Sequence, residues 1–281
     1  MGAMIEAINK RVSVRTYAHR PLEEDVKEKL RDLLQHQKPG PFGNAVRFAL
    51  IDLSDQDKNE ISHLGTYGVI KGASLYVAGV IGETRGGMVD LGYCLEKVIL
   101  EITILGLGTC WLGGTFNRAG FARRLGTSRN EAVPAITPVG YPAARRSILD
   151  RFFRRMAGSD NRKPWSHLFF EADAKTPLTK EATGPYATAF SCLRLAPSAS
   201  NRQPWRVVKA ADTGPFHFYV ERTPGFGQMM RAADLQLVDM GIAMSHFDLA
   251  AAETGLAGIW SESDPGIDGA GWEYVMTWSG Q

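Results

Sequence analysis

At 281 residues the chain can form one large domain or two modest ones, and 44% apolar residues with a net charge of +2 is an ordinary globular composition. That balance gives no case for general nucleic-acid binding, though it leaves room for a local anion site. Cys94, Cys110 and Cys192 lack metal-ligand spacing and suit reduced thiols, the six histidines are scattered, and Glu6 and Lys10 break the apolar run a signal peptide needs, so a cytoplasmic protein with no metal and no membrane span is expected.

Residues 5–11 begin a helix that runs into Arg11-Val12-Ser13-Val14-Arg15-Thr16-Tyr17. The alternation there is that of extended chain, with Arg11, Ser13 and Arg15 on one side and Val12 and Val14 on the other. Guanidinium forks match phosphate oxygens, so this is a candidate anion clamp. The same pattern also describes a solvated basic edge strand. A second helix over 22–37 opens on Glu23, Glu24 and Asp25, which complement the helix dipole, and turns Val26, Leu30, Leu33 and Leu34 inward. Pro39-Gly40-Pro41-Phe42-Gly43-Asn44 ends it, and strands are predicted over 47–53 and 72–81.

Residues 88–107 give the clearest helix, with Met88, Leu91, Leu95, Val98, Ile102 and Leu105 on one face. Gly106 and Gly108 stop it, and Thr109-Cys110-Trp111-Leu112-Gly113-Gly114 follows. Gly113 and Gly114 have no side chains, so their backbone N–H groups can approach a ligand closely. A strand over 136–140 turns at Tyr141-Pro142. Residues 142–190 carry Arg145, Arg146, Arg151, Arg154, Arg155, Arg162 and Lys163 and read as a connector wrapped on a surface. Phe152, Phe153, Trp165, Leu168, Phe169 and Phe170 anchor it. A helix over 186–195, strands over 216–221 and 273–278, and a long helix over 235–256 complete the chain.

Between the 186–195 helix and the next strand lies Pro197-Ser198-Ala199-Ser200-Asn201-Arg202-Gln203-Pro204-Trp205. Two prolines fix its ends, Trp205 offers a large ring to bury, and the short polar side chains of Ser198, Ser200 and Asn201 need little ordering. Such a loop can hold the edge of a flat polar ring, or it can satisfy only its own backbone.

An internal repeat connects these features. Placing Val89 over Val238 needs no gap as far as Trp111 over Trp260, and Val89-Asp90, Gly92, Leu100, Gly106-Leu107 and Trp111 recur as Val238-Asp239, Gly241, Leu249, Gly255-Leu256 and Trp260. The order helix, loop, strand, strand, long helix, glycine turn, strand also occurs twice. The halves have lost different parts. The Arg11–Arg15 segment has no second partner, the Pro-Ser loop is matched only by Pro41-Phe42-Gly43-Asn44, and the paired glycines are answered by Ser261-Glu262.

Arg-x-Ser-x-Arg, Pro-Ser-x-x-Asn-x-Gln-Pro-Trp and Gly-Leu-Gly-Thr-Cys-Trp-Leu-Gly-Gly together resemble the FMN-dependent nitroreductase family, in its subgroup of two tandem copies fused into a pseudo-dimer. Arg162-Lys163-Pro164 resembles that family's closing phosphate segment. The resemblance implies an α+β fold of two fused copies, residues 1–163 and a degenerate 164–281, each a central, mostly antiparallel sheet flanked by helices with one long core helix. It implies a monomer that carries its dimer within one chain, one FMN, and NADH or NADPH as donor. Arg11 and Ser13 then correspond to phosphate and ribityl ligands, and Arg15 to the cation at the flavin N1/C2 edge. Pro197, Ser198, Ala199, Ser200 and Asn201 correspond to the loop on the ring, Leu112, Gly113 and Gly114 to the backbone at N5, and Arg162 to the late phosphate arginine. Arg145 and Arg146 are weaker phosphate candidates. No side chain need act as acid or base, and the glutamate that many relatives place before the N5 glycine is missing. The implied activity is hydride transfer from NAD(P)H through flavin N5 to a small nitroaromatic, quinone or enone. The alternatives are a flavin-storing protein without turnover, and an enzyme of the same fold that cleaves its flavin.

Overall fold

The computed structural model describes residues 2–54, 66, 68–144, 161–211, 214–226, 233–267 and 271–281. The first half contains α1 (Ala3–Lys10), α2 (Glu24–Gln35), β1 (Arg47–Asp52), β2 (Leu75–Gly82), the long α3 (Arg85–Ile104), β3 (Gly108–Thr109), α4 (Arg118–Arg124), β4 (Glu131–Ala132) and β5 (Ile136–Gly140). The second contains β6 (Phe169–Glu171), α5 (Ala187–Arg194), β7 (Trp205–Lys209), β8 (Phe216–Val220), the long α6 (Leu235–Glu253), β9 (Gly258–Ser261) and β10 (Glu273–Gly280). Arg145, Arg146, Arg151, Arg154, Arg155, Phe152 and Phe153 lie outside the described residues.

Each half builds one sheet, and the two sheets share a strand order. The first runs β1-β2-β5-β3, with β4 beside β2, and the second runs β7-β8-β10-β9, with β6 added next to β7. Every pair of strands is antiparallel except β6 with β7. The fold is therefore α+β with one arrangement present twice. The added strand β6 falls inside the stretch read from sequence as a connector. Its Phe169 is fully buried, and its parallel partner begins more than thirty residues later, at Trp205. Three residues are too few to show a period of two.

The two long helices pack against each other at matched positions. A Cβ on Gly92 would overlap the carbonyl oxygen of Val238, and a Cβ on Gly241 would overlap that of Val89. These four residues occupy two equivalent pairs in the gap-free register of the repeat, so the crossing is a pseudo-twofold. Glycine is needed here because the obstacle is backbone, which no rotamer change can move. Burial of α3 extends well beyond the single predicted face: Val89, Cys94, Ile99 and Leu100 are buried along with Leu91, Leu95, Val98 and Ile102. The helix has neighbours on both sides, its own sheet and α6. Leu105, predicted on the buried face, is 42% exposed, because the helix ends at Ile104 and Gly106 (φ 77°) turns the chain away.

Helix α1 ties the halves together. Ile5 and Ile8 are buried beneath it, and it packs on α3, α5 and α6. The first amides of the helix, those of Met4 and Ile5, donate to the carboxylate of Glu253 at 2.9 and 2.7 Å. An anion at a helix N-terminus is the arrangement the helix dipole favours. After α1 the chain is extended: Val14 N–H donates to Thr109 O at 2.8 Å, Tyr17 N–H to Lys71 O at 2.8 Å and Ala18 N–H to Tyr141 O at 2.8 Å. Among the described residues no helix is long and apolar enough to cross a membrane.

Candidate functional site

A cavity of about 490 Å³ opens between the halves, within the range of roughly 300–1,000 Å³ usual for small-molecule and cofactor sites. From the first half it is lined by the end of α1, by Arg11, Val12, Ser13 and Arg15, and by Trp111, Gly113, Gly114 and Thr115. From the second come Pro197, Ser198, Ala199, Ser200 and Asn201, together with Leu235, Val238, Asp239 and Ile242 of α6. Arg162, just before the second half, completes the wall. The structure thus brings Arg11, Ser13, Arg15, Gly113, Gly114, Arg162, Pro197, Ser198, Ala199, Ser200 and Asn201 onto one cavity. Leu112 is the exception. Its side chain is buried, and its backbone exchanges hydrogen bonds with Ile136 at 2.9 and 3.0 Å, which holds it in the sheet layer. Val12, placed on the apolar side of the alternation, also reaches the cavity, while Val14 packs into the core.

The Pro-Ser loop is strained and heavily tied. Ser200, Asn201 and Gln203 all have positive φ, at 50°, 53° and 48°. Such conformations cost on the order of 1–3 kcal/mol each in non-glycine residues and persist only where surroundings enforce them. The enforcement is visible. Gln203 N–H donates to Ser198 Oγ at 2.9 Å, and Ala199 N–H donates to Asp239 Oδ1 at 2.9 Å. The amide of Gln203, 3% exposed, donates to the Asn161 and Asn201 carbonyls at 3.3 and 3.1 Å and accepts from Lys163 N–H at 2.8 Å. Arg162 donates to Asn201 Oδ1 at 2.7 Å and to Leu195 O at 2.9 Å. Trp205 is fully buried behind the loop. Local backbone satisfaction and ligand-facing placement are therefore both true of this loop: Ser198 accepts from Gln203 N–H and keeps its own proton to donate.

On the opposite wall Arg11 leaves α1 with only 7% of its side chain exposed, and its Nε lies 3.7 Å from Glu96 Oε1. Its Nη1 is buried with no partner. An unanswered buried donor costs about 1–3 kcal/mol, more for a charged group. Glu96 is itself fully buried. It accepts from Trp111 Nε1 at 2.6 Å, and its Oε1 lies 2.9 Å from His246 Nε2. The other ring nitrogen of His246 lies 3.0 Å from the Cys192 carbonyl. One carboxylate from α3 thus holds two cavity residues, Arg11 and Trp111, and reaches α6 of the other half. Arg118 does similar work beside the glycines. Its guanidinium donates to the carbonyls of Gly113 at 2.5 Å, Val133 at 3.0 Å and Pro134 at 3.1 Å, and burial lowers its pKa. In a trans peptide the C=O and the next N–H point opposite ways, so Gly114 N–H faces away from Arg118.

Residues 3–251 match the sequence profile of one protein family, described as "Putative TM nitroreductase". The chain belongs to this nitroreductase family. Among solved structures it is similar in fold to a "putative nitroreductase" from Thermotoga maritima (TM-score 0.61, 21% identity, 99% of this chain and 92% of that one). An FMN-dependent nitroreductase from Clostridium difficile matches 51% of this chain over 90% of its own length, at 20% identity and a TM-score of 0.42. A nitroreductase family protein from Clostridium novyi matches 54% of this chain over 92% of its own, at 21% identity and a TM-score of 0.42. No curated protein matches the chain.

Among the residues of this cavity and its supports that sequence reasoning missed are Glu96, Arg118 and Asp239. Glu96 and Asp239 are single polar residues on apolar helices, and a lone position gives no pattern. Asp239 did register, but only as the repeat mate of Asp90. Arg118 bonds to carbonyls, which leave no trace in side-chain identity. Three arginines on the cavity wall and an unanswered guanidinium nitrogen make the site suited to an anion. The apolar wall of Trp111, Val238 and Ile242 suits a flat ring.

Proposed function

We propose that this chain binds one FMN in the cavity between its halves and reduces a small organic acceptor, such as a nitroaromatic, a quinone or an enone, at the expense of NADH or NADPH. The observation that carries the reading is the buried, unpartnered Arg11 Nη1 on the same cavity as Ser13, Arg15 and Arg162, a donor set that fits a phosphate and a polar ring edge. A relative's description as FMN-dependent points the same way. Bound FMN would supply two-electron transfer between nicotinamide and acceptor.

The chain's own residues would hold, orient and shield. Arg11, Ser13 and Arg162 would bind the phosphate and its chain, with Glu96 keeping Arg11 in place. Arg15 would put a cation near the ring edge that gains negative charge on reduction. The loop from Pro197 to Asn201 would hold the ring, its conformation fixed by Gln203 and Arg162. Gly113 and Gly114 would bring backbone against the ring, with Arg118 setting the peptide's direction. Trp111, Val238 and Ile242 would exclude water. In this reading the chain functions as a cytoplasmic monomer, with 1–163 and 164–281 in the place of two subunits.

The test is optical. Purified protein incubated with excess FMN and desalted is expected to keep the flavin's visible absorbance, and to lose it anaerobically on addition of NADH or NADPH. Protein that retains no flavin contradicts the reading. Protein that keeps its colour with both nicotinamides is a flavin binder without turnover.

A further inference from the structure

We propose that Asp239 contacts the bound ligand of this cavity, presenting a carboxylic O–H that donates a hydrogen bond to an acceptor atom on the flavin. The inference rests on the flavin reading above and extends it to a residue that reading does not use.

Asp239 lies on α6, lines the cavity and is 3% exposed. Its Oδ1 accepts the N–H of Ala199 at 2.9 Å, and its Oδ2 is buried with no partner. The molecule contains its own control. Asp90 occupies the matched position on α3 beneath the matched loop. There both oxygens are used: Oδ1 accepts Phe42 N–H at 2.9 Å, and Oδ2 accepts Asn44 N–H at 2.8 Å and Asn44 Nδ2 at 2.9 Å. In the second loop the equivalent asparagine, Asn201, is turned elsewhere. Its N–H goes to Ser198 O at 2.9 Å, its Nδ2 to Asn161 O at 2.9 Å, and its Oδ1 to Arg162. Committing Asn201 to Arg162 leaves Asp239 Oδ2 unanswered on the cavity wall.

A buried carboxyl with one filled oxygen favours its neutral form. Burial pushes Asp239 well above the usual carboxylate range, and the Asp234 charge adds in the same direction. The Ala199 hydrogen bond opposes both. The other charged side chains on the cavity are Arg11, Arg15 and Arg162. Arg11 Nε lies 3.7 Å from Glu96 Oε1, and Arg162 donates to Asn201 Oδ1 at 2.7 Å. In the neutral form the second oxygen carries a proton. The edge of an isoalloxazine, with its carbonyl oxygens and ring nitrogens, supplies acceptors for it.

Two variants separate donor from anion. Asp239→Asn keeps an acceptor for Ala199 N–H and a donor for the ligand, while Asp239→Leu keeps only the volume. Dissociation constants for FMN, read by quenching of flavin fluorescence, are expected within about threefold of wild type for Asp239→Asn and about tenfold weaker for Asp239→Leu. Equal weakening in both overturns the donor, and wild-type affinity in both overturns the contact. An infrared difference spectrum of wild-type protein with and without FMN needs no folded leucine variant. A carboxylic C=O band that shifts on binding and is absent in Asp239→Asn is expected, and a spectrum without that band overturns the inference. Wild-type protein that takes up no FMN fails earlier, at the function itself, and takes this inference with it.

Discussion

Two loops sit on two helices in this chain, built alike and finished differently. At residues 40–44 the loop closes onto Asp90 and uses both carboxylate oxygens. At residues 197–201 the loop offers Asp239 one N–H and gives its asparagine to Arg162. The next turn of each helix diverges in the same sense. Ile242 of α6 lines the cavity, while its match Tyr93 on α3 is buried and donates its hydroxyl to Asp248. Glu96, which supports Arg11, is matched by Ser245. The comparison teaches that one scaffold is present twice and is finished differently around its two matched aspartates. Both oxygens of Asp90 are satisfied by protein groups, while Oδ2 of Asp239 on the cavity wall is not.

The largest expected effect tests the part the halves share. Gly92→Ala and Gly241→Ala each force a methyl into backbone of the opposite helix, and each is expected to cost about 3 kcal/mol or more in chemical denaturation. Similar losses at both positions sharpen the pseudo-twofold, and a tolerated alanine at either breaks it. Next comes the closed loop. Asp90→Ala strands two partly buried backbone donors and is expected to cost about 2 kcal/mol while leaving affinity for FMN unchanged. Arg118→Met should cost less, about 1–2 kcal/mol, because its three carbonyls keep a second lone pair. It should, however, weaken FMN binding by freeing the Gly113 peptide, and unchanged binding would remove Arg118 from the site.

The smallest effect is a pH slope in flavin-free protein. The folded Asp239 carboxyl holds its proton above the unfolded value of about 3.9, so stability falls as pH rises from there to the raised folded value. Asp239→Asn lacks that slope. Melting temperatures should therefore favour the variant increasingly across this window, and a gap that does not vary with pH would show that Asp239 does not titrate this way. Asp90 shifts in the same direction and is common to both proteins, so it cancels.

What the sequence made legible follows from how each feature is encoded. Helix α3 announces itself through periodic Leu, Val and Ile, and the repeat through a register that needs no gap. The cavity was readable because its parts are contiguous motifs, Arg11 to Arg15 and Pro197 to Asn201, each holding several polar groups within a few residues. Strand β6 was not readable, since Phe169–Glu171 is short and its parallel partner is distant in sequence. Helix α4 has seven residues, three of them arginine, and gives no apolar face to detect. Leu112 was carried along by its neighbours' motif, and only the Ile136 pairing shows that it belongs to the sheet. Asp90 and Asp239 look identical in sequence because what distinguishes them is where two asparagine side chains point.

The account depends on one ligand site made jointly by two halves that no longer match, and counting ligands tests it most directly. Titration of flavin-free protein with FMN, followed by calorimetry at known protein concentration, is expected to saturate at one FMN per chain. Saturation at two, or no binding at all, would contradict it.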